Sequence, residues 1–392
     1  MNLKGTRVLV TGGTGFIGGR LVERLVMEYG ADVRVLVKNF ARAARIARFP
    51  IEMLPGDVTE PAAVERAVDG CEIVFHCAYG NTGSPAQQKG VTVQGTGNIL
   101  QAALKHKAKR VVHVSTISVY GKTGDGDLDE SAPRRRSNDV YADSKLEAEK
   151  LVFKYFNKYG LPVAVIQPTI VYGPFGGSWT LNPINQLKSG RVILAEGGNG
   201  LCNAVYVDDV IQAMILAATR DEAVGEAFLI SAEEPVTWRE FYGAYERMLG
   251  FESTISMSLR EVEELNKRYK KAQSTIGQVM TALREHPYIL SRILQLPAVS
   301  RAYRVASVLT PDSLQNRLKN FLMAPSVSTR HHPLSSPEKP ILPLTKARVD
   351  FFRVHTCVRI DKAKRLLGYE PSFDFEQGMR LTEMWVRYSN LV

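Results

Sequence analysis

The chain has few cysteines and no long apolar run. Its four cysteines, Cys71, Cys77, Cys202 and Cys357, are scattered and form no C-x-x-C motif. A disulfide framework and a metal site are therefore not expected, and free thiols fit a reducing compartment. No uninterrupted apolar stretch approaches the roughly 18 residues that cross a bilayer. Strand-like sequence begins within ten residues of the start, where a secretory leader would otherwise stand. We therefore expect a cytoplasmic protein with no integral membrane segment and no metal.

Acidic residues are the minority charge. The 392 residues carry a formal net charge of +10, with 45% hydrophobic and 23% charged residues. That composition is ordinary for a globular protein, and the length suits one large α/β domain with an appendage or two domains. A positive balance favours anionic partners. No nucleic-acid recognition motif accompanies it, so we expect a small-molecule substrate and no nucleic acid.

The first motif is a glycine cluster that follows a strand-like run. Residues 7–10 are mostly apolar and typical of a strand, and an amphipathic helical pattern follows the cluster at 16–28. The spacing suits a tight turn, a close approach of the backbone to a pyrophosphate, and a helix lying against a sheet. The new helix would offer free N–H groups to the phosphates. The candidate dinucleotide-binding residues here are Gly12, Thr14, Gly15, Phe16, Ile17 and Gly18. A glycine-rich turn without a ligand is the alternative.

Short β-branched runs alternate with helical segments over the first 170 residues. The runs fall at 8–10, 33–37, 73–75, 111–114 and 163–166, and the helical patterns at 16–28, 91–105 and 140–160, with two more beyond residue 170 at 205–218 and 237–249. Such alternation predicts an α/β fold with a doubly wound parallel sheet and binding at the carboxyl ends of its strands. We expect a dinucleotide-binding domain at 1–175, with further core elements returning within 195–235, and a mainly substrate-binding region at 176–392.

The character of the chain changes near residue 253. Residues 253–323 read as helical without strand-like alternation, and 260–319 holds eleven Lys and Arg against five Asp and Glu. A proline-rich, extended connection is expected at 324–345. Order should return from Cys357, with helices at 361–367 and 375–388. A lid over the substrate, a peripheral contact with anionic lipid, and extra packing or a dimer contact remain open for the basic insertion.

The end of the second predicted strand carries cations. Lys38 follows the run 33–37, and Arg42 and Arg45 come next, with no carboxylate to repel a 2′-phosphate. This favours NADP over NAD, the alternative being an ordinary solvated helix face. Asp57 could accept a hydrogen bond from an adenine amino group while Val58 packs on the ring.

A phenol and an ammonium stand four residues apart. Tyr141 and Lys145 would share one helix face. A nearby ammonium and an oxidised nicotinamide lower the pKa of a phenol, so Tyr141 is the candidate acid/base. Thr116 ends a predicted strand and could orient the substrate oxygen. Because Y-x-x-x-K is common on helices, an ordinary helix face is the alternative to a catalytic pair.

Eight motifs in this order resemble the extended short-chain dehydrogenase/reductase superfamily, which holds NAD-dependent epimerases/dehydratases and 3β-hydroxysteroid-dehydrogenase-like enzymes. They are TGGTGFIG at 11–18, GDV at 56–58, HCA at 76–78, GTGN at 95–98, VSTISVYG at 114–121, YADSK at 141–145, QPTIVYGP at 167–174 and VYVDDV at 205–210. The resemblance covers about 1–250 and 340–392 and implies a Rossmann-type fold.

The same resemblance implies residue roles. Tyr141 would be the acid/base, Thr116 the second catalytic hydroxyl, and Lys145 the holder of the nicotinamide ribose. Further cofactor-binding positions implied by it are Cys77, Ala78, Tyr79, Thr92, Ser115, Pro168, Thr169 and Ile170. Thr92 stands where the family often has Asn, which weakens one cofactor contact. A homodimer through the helices at 95–105 and 141–155 is also implied.

The substrate class depends on the stretch 197–206. Family members that act on nucleotide sugars usually carry an arginine there that contacts the diphosphate, and here Asn203 stands in a stretch without arginine. The resemblance therefore favours hydride transfer at a secondary alcohol or ketone on an apolar or glycosylated substrate. A nucleotide-sugar epimerase or dehydratase with tightly bound NAD is the alternative, and a non-catalytic dinucleotide sensor or scaffold is a remote one. The run 134–136 would bind an acidic substrate or form a solvated loop.

Overall fold

A computed structural model describes residues 2–273 and 340–391. Most of the basic insertion and most of the predicted proline-rich connection lie outside these residues. The strands are β1 (Arg7–Thr11), β2 (Asp32–Val37), β3 (Glu52–Pro55), β4 (Ile73–His76), β5 (Arg110–Val114), β6 (Gly126–Leu128), β7 (Val163–Pro168), β8 (Ile170–Tyr172), β9 (Arg191–Ala195), β10 (Leu201–Cys202), β11 (Ala204–Tyr206), β12 (Glu226–Ile230), β13 (Val236–Thr237), β14 (Thr254–Met257), β15 (Ile341–Leu342) and β16 (Thr356–Val358).

Twelve α-helices are interspersed with these strands along the described residues. They are α1 (Phe16–Met27), α2 (Pro61–Val68), α3 (Pro85–Lys89), α4 (Gly95–Lys105), α5 (Val140–Tyr159), α6 (Asn182–Ser189), α7 (Val207–Thr219), α8 (Trp238–Leu249), α9 (Leu259–Gln273), α10 (Lys346–Arg353), α11 (Asp361–Leu367) and α12 (Phe375–Tyr388). None of these helices combines the length and the apolar character needed to cross a bilayer.

Seven parallel strands form the central sheet in the order β12-β7-β5-β4-β1-β2-β3. This confirms the predicted doubly wound α/β sheet. The chain winds outward from β1 to β3 and then returns to β4 on the other side of β1. Two successive crossovers leave a crevice at the carboxyl ends of β1 and β4, which is where such sheets bind ligands.

Helices cover both faces of this sheet, and β1 shows how. Val8 and Val10 belong to the hydrophobic cluster that includes Leu21 of α1 and Val210 of α7. Leu9, between them, belongs to the cluster on the opposite face with α2, α4 and α5. Because strand side chains alternate between faces, a continuous apolar run is what a strand covered on both sides requires.

Smaller strand sets build the region beyond the carboxyl ends of the sheet. β9 pairs in parallel with β14 on one side and β15 on the other, β8 pairs with β11, β10 with β13, and β6 with β16. Asn203 joins two of these sets: its amide donates to the carbonyl of Thr356 at 2.8 Å and accepts from the N–H of Val358 at 3.0 Å.

Three local differences from the sequence expectations concern short strands. β14 lies in the segment expected to be wholly helical, since four residues are too few to show a period and pairing with β9 decides their conformation. β15 lies inside the expected proline-rich connection and α10 directly after it, so regular structure precedes residue 357, where order was expected to return. α7 begins two residues later than expected because 204–206 pair with β8.

Candidate functional site

The turn after β1 is shaped by backbone packing. Gly12 has φ +68°, and a Cβ there would lie 2.8 Å from the backbone nitrogen of Ala78. Gly18 packs so closely on the carbonyl of Gly12 that a side chain would collide with it. Gly15 is the N-cap of α1 and supplies no side-chain cap, so no side chain covers the first N–H groups of this 12-residue helix. That arrangement suits phosphate oxygens.

A buried histidine ties this turn to the next strand. The Nδ1 atom of His76, at the end of β4, lies 2.7 Å from the hydroxyl of Thr11, and its Nε2 atom lies 2.9 Å from the hydroxyl of Thr96. Thr96 itself donates to the carbonyl of Thr92 at 2.6 Å. The proton therefore sits on Nε2, and Nδ1 accepts from Thr11. Burial lowers the pKa of His76 to about 3, which keeps the ring neutral.

The candidate adenosine end contains an ion pair. The ammonium of Lys38 lies 2.6 Å from a carboxylate oxygen of Asp57, which also accepts from the N–H and hydroxyl of Thr59, both at 3.0 Å. Burial alone would raise the pKa of Asp57, but these hydrogen bonds outweigh it and lower the pKa. Arg42 is exposed at the end of a 3₁₀ turn, and Val58 is buried.

Arg45 differs from the expectation that it belongs to the free cations near Lys38. Its guanidinium pairs with Glu23 of α1 at 3.1 Å and lies over the ring of Phe175 at 4.2 Å. These contacts hold the segment after β2 against α1, so Arg45 has a packing role.

The loop after β4 carries three of the predicted cofactor positions. Thr92 is buried in a π-helical turn, where its hydroxyl accepts from the N–H of Gly80 and donates to the carbonyl of Gln88, both at 3.0 Å. Its single donor proton is therefore already used to hold this loop. Burial raises the pKa of the Cys77 thiol to about 12, so it stays protonated. Tyr79 follows the half-buried Ala78 and is 40% exposed.

Helix α5 brings the candidate acid/base to the end of β5. Its N-cap Asp139 accepts from the N–H of Ala142 at 2.9 Å, so the helix begins one residue before Tyr141. One turn later, Lys145 is buried and donates to the carbonyl of Val114 at 2.6 Å. Thr116 follows two residues after that carbonyl and caps a 3₁₀ turn, accepting from the N–H of Ser118 at 3.2 Å.

Aromatic contacts complete this group. The rings of Tyr79 and Tyr141 meet edge to face with centroids 5.5 Å apart, and the ammonium of Lys145 lies 5.2 Å from the centroid of Tyr79. Burial of the phenol raises the pKa of Tyr141 to about 12, and a hydrogen bond with Thr116 opposes that rise. Burial lowers the pKa of Lys145 to about 8. The predicted trio of Thr116, Tyr141 and Lys145 is thus brought together.

A buried carboxylate that sequence reasoning missed lies behind the trio. Glu149 accepts from the hydroxyl of Ser115 at 2.6 Å and from the amide of Gln167, which lies 3.0 Å from each carboxylate oxygen. Arg134 forms an ion pair with it. Arg134 therefore belongs neither to a solvated loop nor to a free anion-binding run, as had been expected of 134–136. The available signal was the spacing of Tyr141, Lys145 and Glu149 at successive helical turns.

The remaining predicted positions follow β7. Pro168 ends that strand, Thr169 donates to the carbonyl of Ile230 at 3.2 Å, and Ile170 begins β8. All three are buried and lie just beyond the carboxyl edge of the central sheet.

These residues fit a dinucleotide. The uncapped start of α1 and the close backbone packing at Gly12 and Gly18 provide a site for a pyrophosphate, and the exposed cations after β2 provide one for an adenosine. The trio lies at the far end of the same carboxyl edge of the central sheet. Within 2–273 and 340–391 there is no group of three or more His, Cys, Asp and Glu side chains that could hold a metal.

Sequence comparison gives a family match and several relatives. Residues 8–231 match the model of the family described as "NAD dependent epimerase/dehydratase family". A 4-hydroxy-2-methyl-3-oxo-4-farnesyl-3,4-dihydroquinoline-1-oxide ketoreductase of Stigmatella aurantiaca is 30% identical over 60% of this chain and 71% of its own length. A 3 beta-hydroxysteroid dehydrogenase/Delta 5-->4-isomerase of Mycobacterium tuberculosis is 31% identical over 60% of this chain and 67% of its own length. A 3beta-hydroxysteroid-dehydrogenase/decarboxylase of Arabidopsis thaliana is 30% identical over 62% of this chain and 61% of its own length.

Solved structures share the fold of this chain. An epimerase of Methanothermobacter thermautotrophicus aligns with a TM-score of 0.68 at 19% identity, covering 99% of this chain and 94% of its own. A UDP-glucose 4-epimerase of Thermotoga maritima aligns with a TM-score of 0.67 at 20% identity, covering 98% of this chain and 100% of its own.

Proposed function

The chain belongs to the NAD dependent epimerase/dehydratase family, within the extended short-chain dehydrogenases/reductases, and from this premise we propose that it interconverts a secondary alcohol and a ketone. The observation that carries the proposal is the grouping of Tyr141, Lys145 and Thr116 at the end of β5. The named ketoreductase and steroid dehydrogenase relatives support this reaction class. The stretch 197–206 lacks the arginine expected for a nucleotide-sugar diphosphate, which favours an apolar or glycosylated substrate.

The proposed mechanism assigns the proton to this chain's own side chains. A bound nicotinamide dinucleotide supplies or accepts the hydride. The phenol of Tyr141 gives a proton to the carbonyl oxygen during reduction and removes it from the hydroxyl during oxidation. The hydroxyl of Thr116, which lowers the pKa of the Tyr141 phenol, orients that substrate oxygen. The ammonium of Lys145 holds the ribose end of the site and favours the phenolate electrostatically.

The test is ketone reduction by the purified chain, measured for wild type and for Tyr141→Phe across a panel of apolar and glycosylated ketones. We expect the substitution to lower kcat about 100-fold or more, since it removes the proton donor, while cofactor affinity stays unchanged. Tyr159→Phe is the matched control, because Tyr159 ends the same helix and is 45% exposed. Full activity of Tyr141→Phe would contradict the mechanism, and epimerisation of a nucleotide sugar with retained NAD would contradict the reaction class.

We also propose NADP as the preferred cofactor, because no carboxylate follows β2 and because Lys38 and Arg42 are exposed there. Calorimetry with NADP⁺ and NAD⁺ on the same protein tests this. Lys38→Ala and Arg42→Ala should each weaken NADP⁺ binding about tenfold or more, the usual loss for a hydrogen bond to a charged group, and leave NAD⁺ binding nearly unchanged. Arg48→Ala is the control, since Arg48 is exposed nearby but pairs with Glu23. Tighter binding of NAD⁺ would refute the preference.

Two further proposals concern the state of the protein. We propose a homodimer formed through α4 and α5, as the family resemblance implies, and sedimentation velocity showing only monomer at micromolar concentration would refute it.

We propose a cytoplasmic location, supported by four free cysteines, two of them buried. Recovery of the native protein from a secreted fraction would refute that location.

A further inference from the structure

Glu149 is a buried carboxylate on the catalytic helix with no role assigned so far. It is 1% exposed, and it follows Lys145 by one helical turn and Tyr141 by two. Residues at these spacings lie on one face of a helix. Burying a carboxylate is costly unless hydrogen bonds and an opposite charge compensate it, and Glu149 has both.

Each hydrogen bond of Glu149 reaches a strand end that leads into the candidate site. Ser115, which donates at 2.6 Å, immediately precedes Thr116 at the end of β5. Gln167, which lies 3.0 Å from both carboxylate oxygens, immediately precedes Pro168 at the end of β7. The carboxylate therefore bridges two neighbouring strands at the level where the predicted site residues begin.

Two more side chains complete this network around the carboxylate. The hydroxyl of Tyr120 donates to the side-chain oxygen Oε1 of Gln167 at 2.8 Å, which fixes the orientation of the side-chain amide. Arg134 forms the ion pair with Glu149 and lies over the rings of Tyr120 and Phe153 at 5.8 and 5.6 Å. Each partner in this network restricts the others, which makes the network rigid.

The charge of Glu149 also acts on Lys145. The ammonium is buried and donates to one backbone carbonyl, at 2.6 Å. Burial lowers the pKa of Lys145, whereas the charge of Glu149 raises it. The titratable groups around this ammonium and carboxylate, taken over every element packed there, are His76, Cys77, Tyr79, His113, Tyr120, Arg134 and Tyr141. Burial keeps both histidines neutral, so neither adds a positive charge beside the ammonium.

We propose that Glu149 is a positioning residue that fixes the Ser115–Thr116 strand end and whose negative charge sustains the ammonium of Lys145. The proposal rests on the proposed hydride-transfer function, in which Thr116 and Lys145 take part. Arg134 neutralises the far side of the carboxylate and so allows it to remain buried.

The experiment compares wild type with Glu149→Gln, which keeps a hydrogen-bond acceptor for Ser115 but removes the charge. NADP⁺ affinity and ketone reduction are measured from pH 6 to 10. We expect kcat to fall about tenfold. We also expect the alkaline loss of both cofactor affinity and kcat/KM to move to lower pH by about half a unit or more, because Lys145 loses its proton earlier. Glu147→Gln is the matched control: Glu147 lies on the same helix, is half-buried and pairs with Lys89 at 2.9 Å.

The outcomes separate this inference from the proposed function. An unchanged alkaline midpoint in Glu149→Gln, with only a lower unfolding temperature, would overturn it. A wild type that binds NADP⁺ but reduces no ketone would refute the reaction, and the pH dependence of binding would still decide the role of Glu149. If Glu149→Gln does not fold, Ser115→Ala tests the same network. We expect it to lower kcat about three- to tenfold, in line with one lost hydrogen bond. Unchanged kcat there would overturn the inference.

Discussion

At the residue scale, two neighbouring aspartates at the start of α7 have opposite surroundings. Asp208 receives two hydrogen bonds from the guanidinium of Arg20, at 2.5 and 2.9 Å. Asp209 accepts from the N–H of Ser372 at 2.8 Å, and its Oδ2 atom has no hydrogen-bond partner among the described residues. Burial raises the pKa of Asp209 to about 6. The first carboxylate thus joins α1 to α7 through an ion pair, and the second is a buried charge that favours protonation.

Asp209→Asn should reduce the loss of stability between pH 5 and pH 7. The pKa of Asp209 is raised from 3.8 in the unfolded chain to about 6 in the folded protein. Proton binding by Asp209 therefore stabilises the fold fully below pH 3.8, and this stabilisation is lost as the pH rises through about 6. The size of the effect is of order 1–3 kcal/mol. Thermal unfolding of both proteins at pH 5, 6 and 7 measures it.

Asp208→Asn is the contrasting variant. It breaks the ion pair with Arg20 and should lower stability at pH 7 by about 1–3 kcal/mol, because Arg20 keeps only its 3.2 Å contact with Glu23. If Asp209→Asn showed the same slope of stability against pH as wild type, the raised pKa of Asp209 would be wrong.

Sequence reasoning found the residues that carry motif spacing and missed those whose partners are distant in the chain. Tyr141 and Lys145 are four residues apart, so a helix alone brings them to one face. Glu149 continues that spacing, but its partners Ser115, Arg134 and Gln167 come from three other segments. Only the fold shows that Arg134 is neutralised by Glu149. The cofactor and catalytic assignments themselves remain predictions until they are measured.

At the element scale, the ends of the basic insertion are joined to the folded region at one place. β14, at the start of the insertion, and β15, after it, pair with opposite edges of β9. The hydroxyl of Tyr269 in α9 donates to the carbonyl of Ile341 at 2.6 Å, and the amide of Asn266 donates to the carbonyl of Leu344 at 2.7 Å. The chain therefore leaves and re-enters at neighbouring points.

Replacing residues 274–339 by a short Gly/Ser linker should leave the remaining fold and cofactor binding intact. The two attachment points are already held by β9 and by α9, so the linker has a short span to close and the closure cost is small. Calorimetric NADP⁺ affinity within about threefold of wild type is the expected result, and a variant with Tyr269→Phe added should unfold at a lower temperature. An insoluble or non-binding deletion variant would contradict this view of the insertion.

At the scale of the whole molecule, the central sheet was predictable and the substrate-side strands were not. The runs at 8–10, 33–37, 73–75, 111–114 and 163–166 all became sheet strands, because continuous apolar sequence suits a strand covered on both faces. Strands such as β10 and β13 have two residues each and gain their conformation from pairing alone. The insertion beyond 273 was expected to be helical, and that expectation lies outside the described residues.

The position of β12 at the edge of the central sheet has a consequence for biosynthesis. β12 is the outer neighbour of β7, yet the chain makes β8 to β11 and α6 to α7 before it reaches residue 226. At a translation rate of about 5–20 residues per second, roughly 3–12 s separate the completion of β7 from that of β12. During this interval the edge of β7 (Val163–Pro168) that later pairs with β12 has no partner strand, while its other edge pairs with β5. Exposed edges of this kind pair readily with other chains, so we expect the ribosome-bound intermediate to be more prone to association than the finished sheet.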